Sequence, residues 1–178
     1  MSEILIKKAA EDDLKTIHDM AQVVFRHTYR DILSPEQMEY MMDMMYSMPN
    51  LQIQIQEGHH YYIAYEDQTP CGYVSVQHEG ADGEGVEVFH LHKIYVMPDA
   101  QGKGVGLRLF ETVADHVRNA SPGLRARIEL NVNKYNKAVD FYKHLGMRVL
   151  LEEDFPIGNG FYKTDYIMGL DVQGAKNV

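Results

Sequence analysis

The first part of the chain carries its apolar residues at helical spacing, after one short strand. Residues 4–9 form a short apolar run, which predicts the first strand. From Asp12 onward, apolar residues recur at intervals of three and four positions as far as Phe25. This spacing predicts an amphipathic helix that buries one face.

A second helix is predicted in the methionine-rich segment that follows. Ser34 is a favoured N-cap, Pro35 suits the first helical position, and Gln37 stands where a capping box requires it. Pro49, together with the asparagine after it, is predicted to end this helix. Residues 51–58 alternate apolar and polar positions, but they are short and follow a helix stop, and we interpret them as a third helix.

The apolar pattern changes to a period of two near residue 60. Residues 61–66 and 72–77 flank a polar turn at 67–70, which predicts a β-hairpin. A polar, glycine-rich loop is predicted at 79–85. A long strand, closed by a proline, is predicted at 86–98.

Helices and strands alternate in the rest of the chain. A helix is predicted to begin near Gly104 and to stop at a Ser-Pro-Gly sequence. A strand at 126–132 is followed by a helix over 133–145, and the glycine after it is the expected C′ residue. The last strands are predicted at 147–153 and 161–171. This order predicts a mixed α/β domain whose central sheet is covered on both faces.

Composition and charge narrow the classes of function. Apolar residues make up 45% and charged residues 24% of the chain, which suits one globular domain over residues 1–178. The formal net charge of −9 argues against a nucleic-acid partner, because phosphate backbones are bound by basic surfaces. It suits cationic small molecules instead. Cys71 is the only cysteine, which excludes an intramolecular disulfide, and we interpret it as a small buried side chain.

The sequence shows no signal for secretion or membrane insertion. The N-terminal segment has neither a long apolar region nor a small-residue cleavage site. No stretch approaches the roughly 20 apolar residues of a membrane span. We therefore expect a cytoplasmic protein with no membrane partner.

Three glycines at alternate positions stand where a helix should begin, in residues 101–106. The order of lysine and glycines fits neither a Walker loop nor a Rossmann loop. Glycines let main-chain N–H groups converge on an anion, the following helix presents further N–H groups, and Lys103 adds a positive charge. The alternative is a tight strand-to-helix turn without a ligand. The combination of features favours an anion site.

Two motifs in this order make the chain resemble the GNAT superfamily of acetyl-CoA-dependent N-acetyltransferases. Residues 101–106 match its Q/R-x-x-G-x-G/A signature. Residues 133–150 match its N-x-A-x-x-F-Y-x-x-x-G-F segment, with Met147 in place of the usual aromatic residue. The resemblance covers residues 60–170, as an acetyl-CoA-binding core. The helical region 10–58 is similar to bacterial PaiA-type polyamine acetyltransferases and would form the acceptor site or a lid.

The resemblance implies a GNAT fold, in which a mostly antiparallel sheet contains one parallel strand pair that splays apart to admit the pantetheine arm. It implies that main-chain groups near the end of strand 86–98 pair with the pantetheine, and that the Val96 N–H stabilises the oxyanion. The Asn136 side chain would contact the cofactor arm, or serve only as a polar residue at a helix N-terminus. The residues implied for acetyl-CoA binding are Ile94, Tyr95, Val96, Gln101, Gly102, Lys103, Gly104, Val105, Gly106 and Asn136.

The resemblance also implies two catalytic residues. Tyr142 occupies the position of the tyrosine that protonates the departing thiolate, and a phenol with a pKa of about 10 suits that role. The alternative for Tyr142 is an aromatic side chain packed on a helix face. His92 stands where many relatives carry a glutamate, and its imidazole could take the proton of the amine, directly or through water. His90 on the same face, or a purely structural role for His92, are the alternatives.

The acceptor site is predicted in less detail. The methionine-rich helix lies where relatives form the acceptor pocket, although methionines at helical spacing are equally typical of a core. Tyr29, Met45 and Tyr166 are predicted acceptor contacts. The histidines of the chain match no common zinc spacing and this chemistry needs no metal, so we expect none.

The activity implied by the resemblance is transfer of the acetyl group of acetyl-CoA to a primary amine, by direct attack in a ternary complex. The acidity and the PaiA likeness predict a small cationic acceptor such as a polyamine. The alternatives are acetylation of a protein N-terminus or lysine, and a non-catalytic coenzyme A-binding sensor module. A homodimer paired through an edge strand, such as the C-terminal strand, is a further possibility.

Overall fold

The strands predicted from the sequence assemble into one mixed sheet. The computed structural model of the protein describes residues 2–173, and its seven strands have the order β1-β2-β3-β4-β5-β7-β6. The strands are β1 (Ile4–Lys8), β2 (His59–Glu66), β3 (Thr69–Ala81), β4 (Glu87–Val96), β5 (Arg125–Asn133), β6 (Arg148–Gly158) and β7 (Phe161–Gln173). The C-terminal strand β7 lies between β5 and β6. The expectation that it is an edge strand is therefore wrong, and β1 and β6 are the edges.

The helices confirm the mixed α/β class. The α-helices in the described part of the chain are α1 (Leu14–Tyr29), α2 (Pro35–Tyr46), α3 (Met48–Gln56), α4 (Val105–Ala120) and α5 (Ala138–His144). Short 3-10 helices cover Glu11–Asp13 and Pro98–Ala100. None of the helices within residues 2–173 is both long and apolar enough to span a bilayer.

The described chain falls into two compact units. The first contains the chain up to Gln77 together with His92–Val113. The second contains His78–Leu91 and the chain from Ala114 onward. Helices α1, α2 and α3 and the glycine loop thus belong to the first unit, and β5, β6, β7 and α5 belong to the second.

The hairpin and the first helix of the first unit follow the sequence pattern. Strands β2 and β3 turn at Asp67 and Gln68, which both have positive φ (+46° and +72°), as a two-residue type I′ turn requires. Helix α1 buries the stripe that its period predicts. Its buried residues are Leu14, Ile17, Met20, Ala21, Val24, Phe25 and Tyr29.

Ser47 separates the second helix from the third. Its backbone is extended (φ −60°, ψ 147°), and its hydroxyl oxygen accepts a hydrogen bond from the N–H of Asn50 at 3.4 Å. Pro49 lies in the first turn of α3, where its missing N–H removes no helical hydrogen bond. The expectation that Pro49 and Asn50 end the methionine-rich helix is therefore wrong. The predicted N-cap at Ser34 is confirmed, because its hydroxyl accepts the N–H of Gln37 at 3.2 Å.

The second unit contains the parallel strand pair. Strands β4 and β5 pair in parallel only over Glu87–His90 and Ala126–Glu129. Each strand continues beyond this pairing, β4 to Val96 and β5 to Asn133. The β5–β7 and β6–β7 pairs are antiparallel. A short parallel pairing with longer strands is what the resemblance implies for this pair.

Several predicted elements differ in length from those observed. Strand β6 extends to Gly158, whereas the predicted strand ended at residue 153. Helix α5 begins later than residue 133, because Asn133 accepts the N–H of Tyr135 (3.0 Å) and Asn136 accepts that of Ala138 (2.9 Å). Such side-chain turns compete with helical hydrogen bonds. Gly146 has a φ of +98° directly after the C-cap, which confirms it as the C′ residue. Strand β3 extends to Ala81 and therefore includes the first residues of the loop predicted at 79–85.

Candidate active site

The glycine loop joins the end of β4 to the start of α4. After Val96 the chain makes one 3-10 turn, Pro98–Ala100, and α4 begins at Val105. Gly102 and Gly104 both have a φ of +79°, which side chains rarely allow. A Cβ atom built on either glycine would meet no heavy atom within 4 Å. The loop therefore needs glycine for its backbone conformation, and the space beside it is open to a ligand.

Main-chain N–H groups at the start of α4 supply hydrogen-bond donors beside this loop. The N–H of Arg108 donates to the carbonyl oxygen of Gly104 at 3.2 Å, which is the first bond of the helical ladder. The N–H groups of Val105, Gly106 and Leu107 precede it and have no acceptor within the helix. The helix macrodipole adds a partial positive charge at the same point. An open glycine turn with these donors fits a phosphate group.

Lys103 is paired with a carboxylate of the same unit. Its Nζ lies 2.7 Å from Oε1 of Glu66 at the end of β2. The hydrogen bond from Lys103 lowers the pKa of Glu66, and the hydrogen bond to Glu66 raises the pKa of Lys103. The lysine thus stays charged, and the Glu66 carboxylate balances part of its positive charge.

The last residues of β4 present alternate main-chain groups to opposite edges. The N–H of Met97 donates to the carbonyl oxygen of Cys71 in β3 at 2.8 Å. Successive N–H groups of a strand point to opposite edges, so the N–H of Tyr95 faces β3 like that of Met97. The N–H groups of Ile94 and Val96 point to the other edge. Ile94 and Val96 therefore direct their N–H groups away from β3, whereas Tyr95 directs its N–H toward β3, and the predicted pantetheine contacts of all three residues stay predictions.

Two contacts fix the end of β4. The Nε2 of Gln101 donates to the carbonyl oxygen of Val96 at 3.2 Å. A Cβ atom on Gly72 would lie 2.8 Å from the carbonyl oxygen of Tyr95 and 3.3 Å from the Leu109 side chain of α4. Only glycine lets β3 approach both elements this closely. The strand end and the helix start are thereby held together.

The two candidate histidines have different partners. His92 is half-buried in the first unit, and its Nε2 lies 2.9 Å from Oε1 of Gln77. Its ring stacks on His59 at a centroid distance of 4.4 Å. His90 belongs to the second unit, and its Nδ1 lies 3.1 Å from Oε1 of Glu79. His90 is therefore tied to a carboxylate, whereas His92 is held by the amide of Gln77 and stacks on the ring of His59.

A buried lysine next to His92 was not identified from the sequence. Lys93 is only 3% exposed, and its Nζ donates to the carbonyl oxygen of Met45 (2.9 Å), to Oε1 of Gln54 (2.8 Å) and to the hydroxyl of Tyr61. It also lies 4.4 Å from the ring centroid of Tyr46. Burial lowers the pKa of Lys93 to about 7, because the ammonium is removed from water. The available signal was a lysine at an inward position of a strand that alternates apolar and polar residues.

The predicted acceptor residues of the first unit lie in or near its core. The hydroxyl of Tyr29 is 3.2 Å from that of Tyr95, and Tyr29 is only 9% exposed. Met45 is half-buried in the last turn of α2. The methionines of α2 that lie in the core are Met38, Met41 and Met42. Packing thus accounts for these three, and the predicted contact at Met45 stays a prediction.

The remaining predicted residues lie in the second unit. Tyr142 is 6% exposed, its ring packs 5.5 Å from that of Phe141, and its carbonyl oxygen accepts the N–H of Met147 at 3.0 Å. The side-chain oxygen of Asn136 accepts the N–H of Ala138 at the start of α5. Tyr166 is half-buried in β7. The predicted roles of these residues stay predictions.

Within residues 2–173, no group of three or more His, Cys, Asp or Glu side chains is arranged to hold a metal ion. Cys71 is buried, as its interpretation as a core residue requires, and burial raises the pKa of its thiol. In the first unit, the polar groups described above are the main-chain donors of the glycine loop, the Lys103–Glu66 pair, the stacked rings of His59 and His92, and the buried Lys93.

Known proteins share parts of this sequence and its fold. The chain is 32% identical over 90 residues to the peptidyl-lysine N-acetyltransferase YjaB of Salmonella typhimurium. It is 31% identical over 88 residues to an uncharacterized N-acetyltransferase of Methanocaldococcus jannaschii. These alignments span 49% and 48% of this chain, and only 50% and 38% of the two relatives.

A solved structure and a family model extend this likeness. The PaiA N-acetyltransferase from Thermoplasma acidophilum, in complex with coenzyme A, has a TM-score of 0.73 and 23% identity, covering 94% of this chain and 98% of that one. At this identity the likeness shows a shared fold. The model of the acetyltransferase (GNAT) family matches residues 23–147, which is more than half of the chain. The chain therefore belongs to the acetyltransferase (GNAT) family.

Proposed function

We propose that the chain transfers the acetyl group of acetyl-CoA to a primary amine, and that the acceptor is a small cationic amine such as a polyamine. One observation carries the proposal. Gly102 and Gly104 hold an open left-handed turn directly before the first N–H groups of α4, which have no acceptor within the helix. Membership of the GNAT family and the net charge of −9 support the donor and the acceptor class, respectively.

Acetyl-CoA would supply an activated thioester, and the chain would bind and orient it. The N–H groups from Gly102 to Gly106 would contact the diphosphate. The N–H groups of Ile94 and Val96 would pair with the pantetheine arm as an added strand does. The Val96 N–H would donate to the thioester oxygen as negative charge develops on it.

The reaction requires proton transfers, which we assign to His92 and Tyr142. The protonated amine must first lose a proton, and His92 takes it. The nitrogen then bonds to the carbonyl carbon, the carbon–sulfur bond breaks, and the Tyr142 phenol gives its proton to the departing sulfur. The second proton lost by the nitrogen restores the phenol, and His92 releases its proton to water. One proton is thus released for each amide formed.

A lysine side chain of a protein is the second candidate acceptor. The likeness to the peptidyl-lysine N-acetyltransferase YjaB favours it. A lysine side chain and a polyamine share a primary ammonium on a methylene chain, so the same base and oxyanion donor would serve both. The two acceptors make different demands on the site. A peptide needs an open groove, whereas a polyamine carries several positive charges and is attracted by an acidic surface.

A screen with the purified chain tests this proposal. Release of coenzyme A is measured with acetyl-CoA and spermidine, lysine-containing peptides or neutral amino acids as acceptors. We expect turnover to be fastest with spermidine.

We also expect Tyr142→Phe to lower kcat by about 100-fold while coenzyme A binding by calorimetry is unchanged. Failure to turn over any amine or peptide would reject the activity, and failure to bind coenzyme A would reject the site.

A further inference from the structure

The side-chain amide of Gln77 connects His92 to a main-chain carbonyl. The Nε2 of Gln77 donates to the carbonyl oxygen of Glu57, just after α3, at 2.8 Å. A carbonyl oxygen can only accept, so this contact fixes which end of the amide is nitrogen. The other end, Oε1, is then the atom that faces His92 at 2.9 Å.

This orientation determines the hydrogen on the imidazole of His92. Oε1 of Gln77 has no hydrogen, so the Nε2 of His92 must donate to it. We propose that Gln77 holds neutral His92 in the tautomer that carries its hydrogen on Nε2, so that Nδ1 is the ring atom that takes the proton from the acceptor amine. The second part of this statement rests on the proposed function.

The plane of the ring is held by a second contact. His59 on β2 stacks on His92 with an interplanar angle of 16° and a centroid distance of 4.4 Å. His59 lies directly opposite Gln77 in the register of β2 and β3. The stack limits rotation of the His92 ring out of this plane, and the hydrogen bond to Gln77 opposes a half-turn flip of the ring, which would put Cε1 in the place of Nε2. Together the two contacts aim Nδ1 in one direction.

Gln77 acts through His92 and is a positioning residue. When Nδ1 takes a proton from the ammonium, the ring becomes an imidazolium with hydrogens on both nitrogens. Its Nε2–H still donates to Gln77, so the hydrogen bond is kept through the transfer. Release of the Nδ1 proton to water restores the starting tautomer. In the opposite tautomer, Nδ1 would carry a hydrogen and could not act as the base.

Long-range ¹H–¹⁵N spectra of the labelled chain read the tautomer directly. The His92 signals are assigned by their loss in His92→Ala, and spectra are recorded where the ring is neutral. We expect the protonated nitrogen to be Nε2. A hydrogen on Nδ1 in the wild-type chain would overturn the proposal, whatever the activity of the protein.

Two variants of opposite character test the role of Gln77. In Gln77→Glu the side chain can only accept, so we expect the Nε2–H tautomer to be kept. In Gln77→Lys it can only donate, so we expect the hydrogen to move to Nδ1 and kcat to fall by about 10-fold to 100-fold, with the KM for acetyl-CoA unchanged. Gln52→Lys, on the exposed face of α3, is the control for the added charge.

The outcomes separate this inference from the proposed function. An unchanged tautomer in Gln77→Lys would overturn the assignment to Gln77. A moved hydrogen with an unchanged kcat would overturn the role of Nδ1 as base, even if acetyl transfer is confirmed. If the wild-type chain binds no coenzyme A, the proposed function fails, and the spectra still decide whether Gln77 sets the tautomer.

Discussion

At the scale of single residues, positions 102 and 104 require glycine because of their backbone conformation, and not because a side chain would lack space. Both have a φ of +79°, and nothing lies within 4 Å of a Cβ built on either. Replacing one of them therefore strains the backbone without creating a clash. The loop can respond by relaxing to an ordinary conformation, which would turn its N–H groups away from a bound diphosphate.

We expect Gly104→Ala to weaken coenzyme A binding more than it destabilises the fold. The strain of a left-handed alanine is about 1–2 kcal/mol, and relaxation of the exposed loop can relieve part of it. The free energy of unfolding is measured with urea, and the affinity for coenzyme A by calorimetry. Gly83→Ala is the control, because Gly83 has no positive φ and no atom within 4 Å. An affinity for coenzyme A equal to that of the wild type would contradict the assigned role of the loop.

Gly72 presents the opposite case, in which space decides. A Cβ at this position would lie 2.8 Å from the main-chain oxygen of Tyr95, which cannot move without the strand. We expect Gly72→Ala to lower the free energy of unfolding by about 1–3 kcal/mol and to displace the end of β4. Urea unfolding measures the first effect, and a structure of the variant the second. A variant as stable as Gly83→Ala would show that β3 and β4 can separate without cost.

At the scale of elements, one buried ammonium connects two helices to the sheet. Lys93 on β4 contacts the C-terminal turn of α2 through Met45, α3 through Gln54, and β2 through Tyr61. Helix α2 ends with its negative dipole end toward this charge. No carboxylate is among these partners, so dipoles and aromatic faces alone offset the loss of hydration. This is why burial dominates the pKa of the group.

The stability of the chain should therefore depend on pH through Lys93. Its pKa is about 7 in the folded chain and has an ordinary value of 10.5 when unfolded. Between these values the unfolded chain binds the proton and the folded chain does not, so stability rises as the pH increases. Below about pH 7 both states are charged and the burial cost is fully present.

As the pH rises from about 6 to about 9, we expect the free energy of unfolding of the wild type to increase relative to that of Lys93→Met. Above the folded pKa of Lys93, this increase should reach up to about 1.4 kcal/mol per pH unit. Methionine keeps most of the volume of lysine but cannot titrate. Urea unfolding of both chains at several pH values measures the difference. Lys15→Met, on an exposed position of α1, is the matched control. Parallel stability curves for wild type and Lys93→Met would show that Lys93 keeps its proton throughout the range.

At the scale of the whole molecule, local signals predicted the loop and most elements, and distant partners decided the rest. The glycine turn and the helix after it follow from residues 101–106 alone, because conformation and period are local properties. The helix break at Ser47 was missed because a serine between apolar residues reads as a continuous helix until its capping bond is seen. The different surroundings of His92 and His90 could not be predicted, since their partners Gln77 and Glu79 come from another strand. The strand pattern placed Lys93 at an inward position, but its partners Met45, Gln54 and Tyr61 also come from other elements and could not be predicted.

The net charge of −9 is a property of the whole chain, and its effect on the acceptor can be measured. A negative surface attracts a polycation more strongly than a monocation, and salt screens this attraction. Raising the salt from about 50 mM to about 500 mM should increase the KM for spermidine by roughly 3-fold to 10-fold, and that for n-butylamine much less. The KM for acetyl-CoA, measured in parallel, separates effects on the acceptor from effects on the donor. Equal increases for the two amines would mean that the acidity of the chain has no part in selecting the acceptor, and the case for a polyamine would then depend on the PaiA likeness alone.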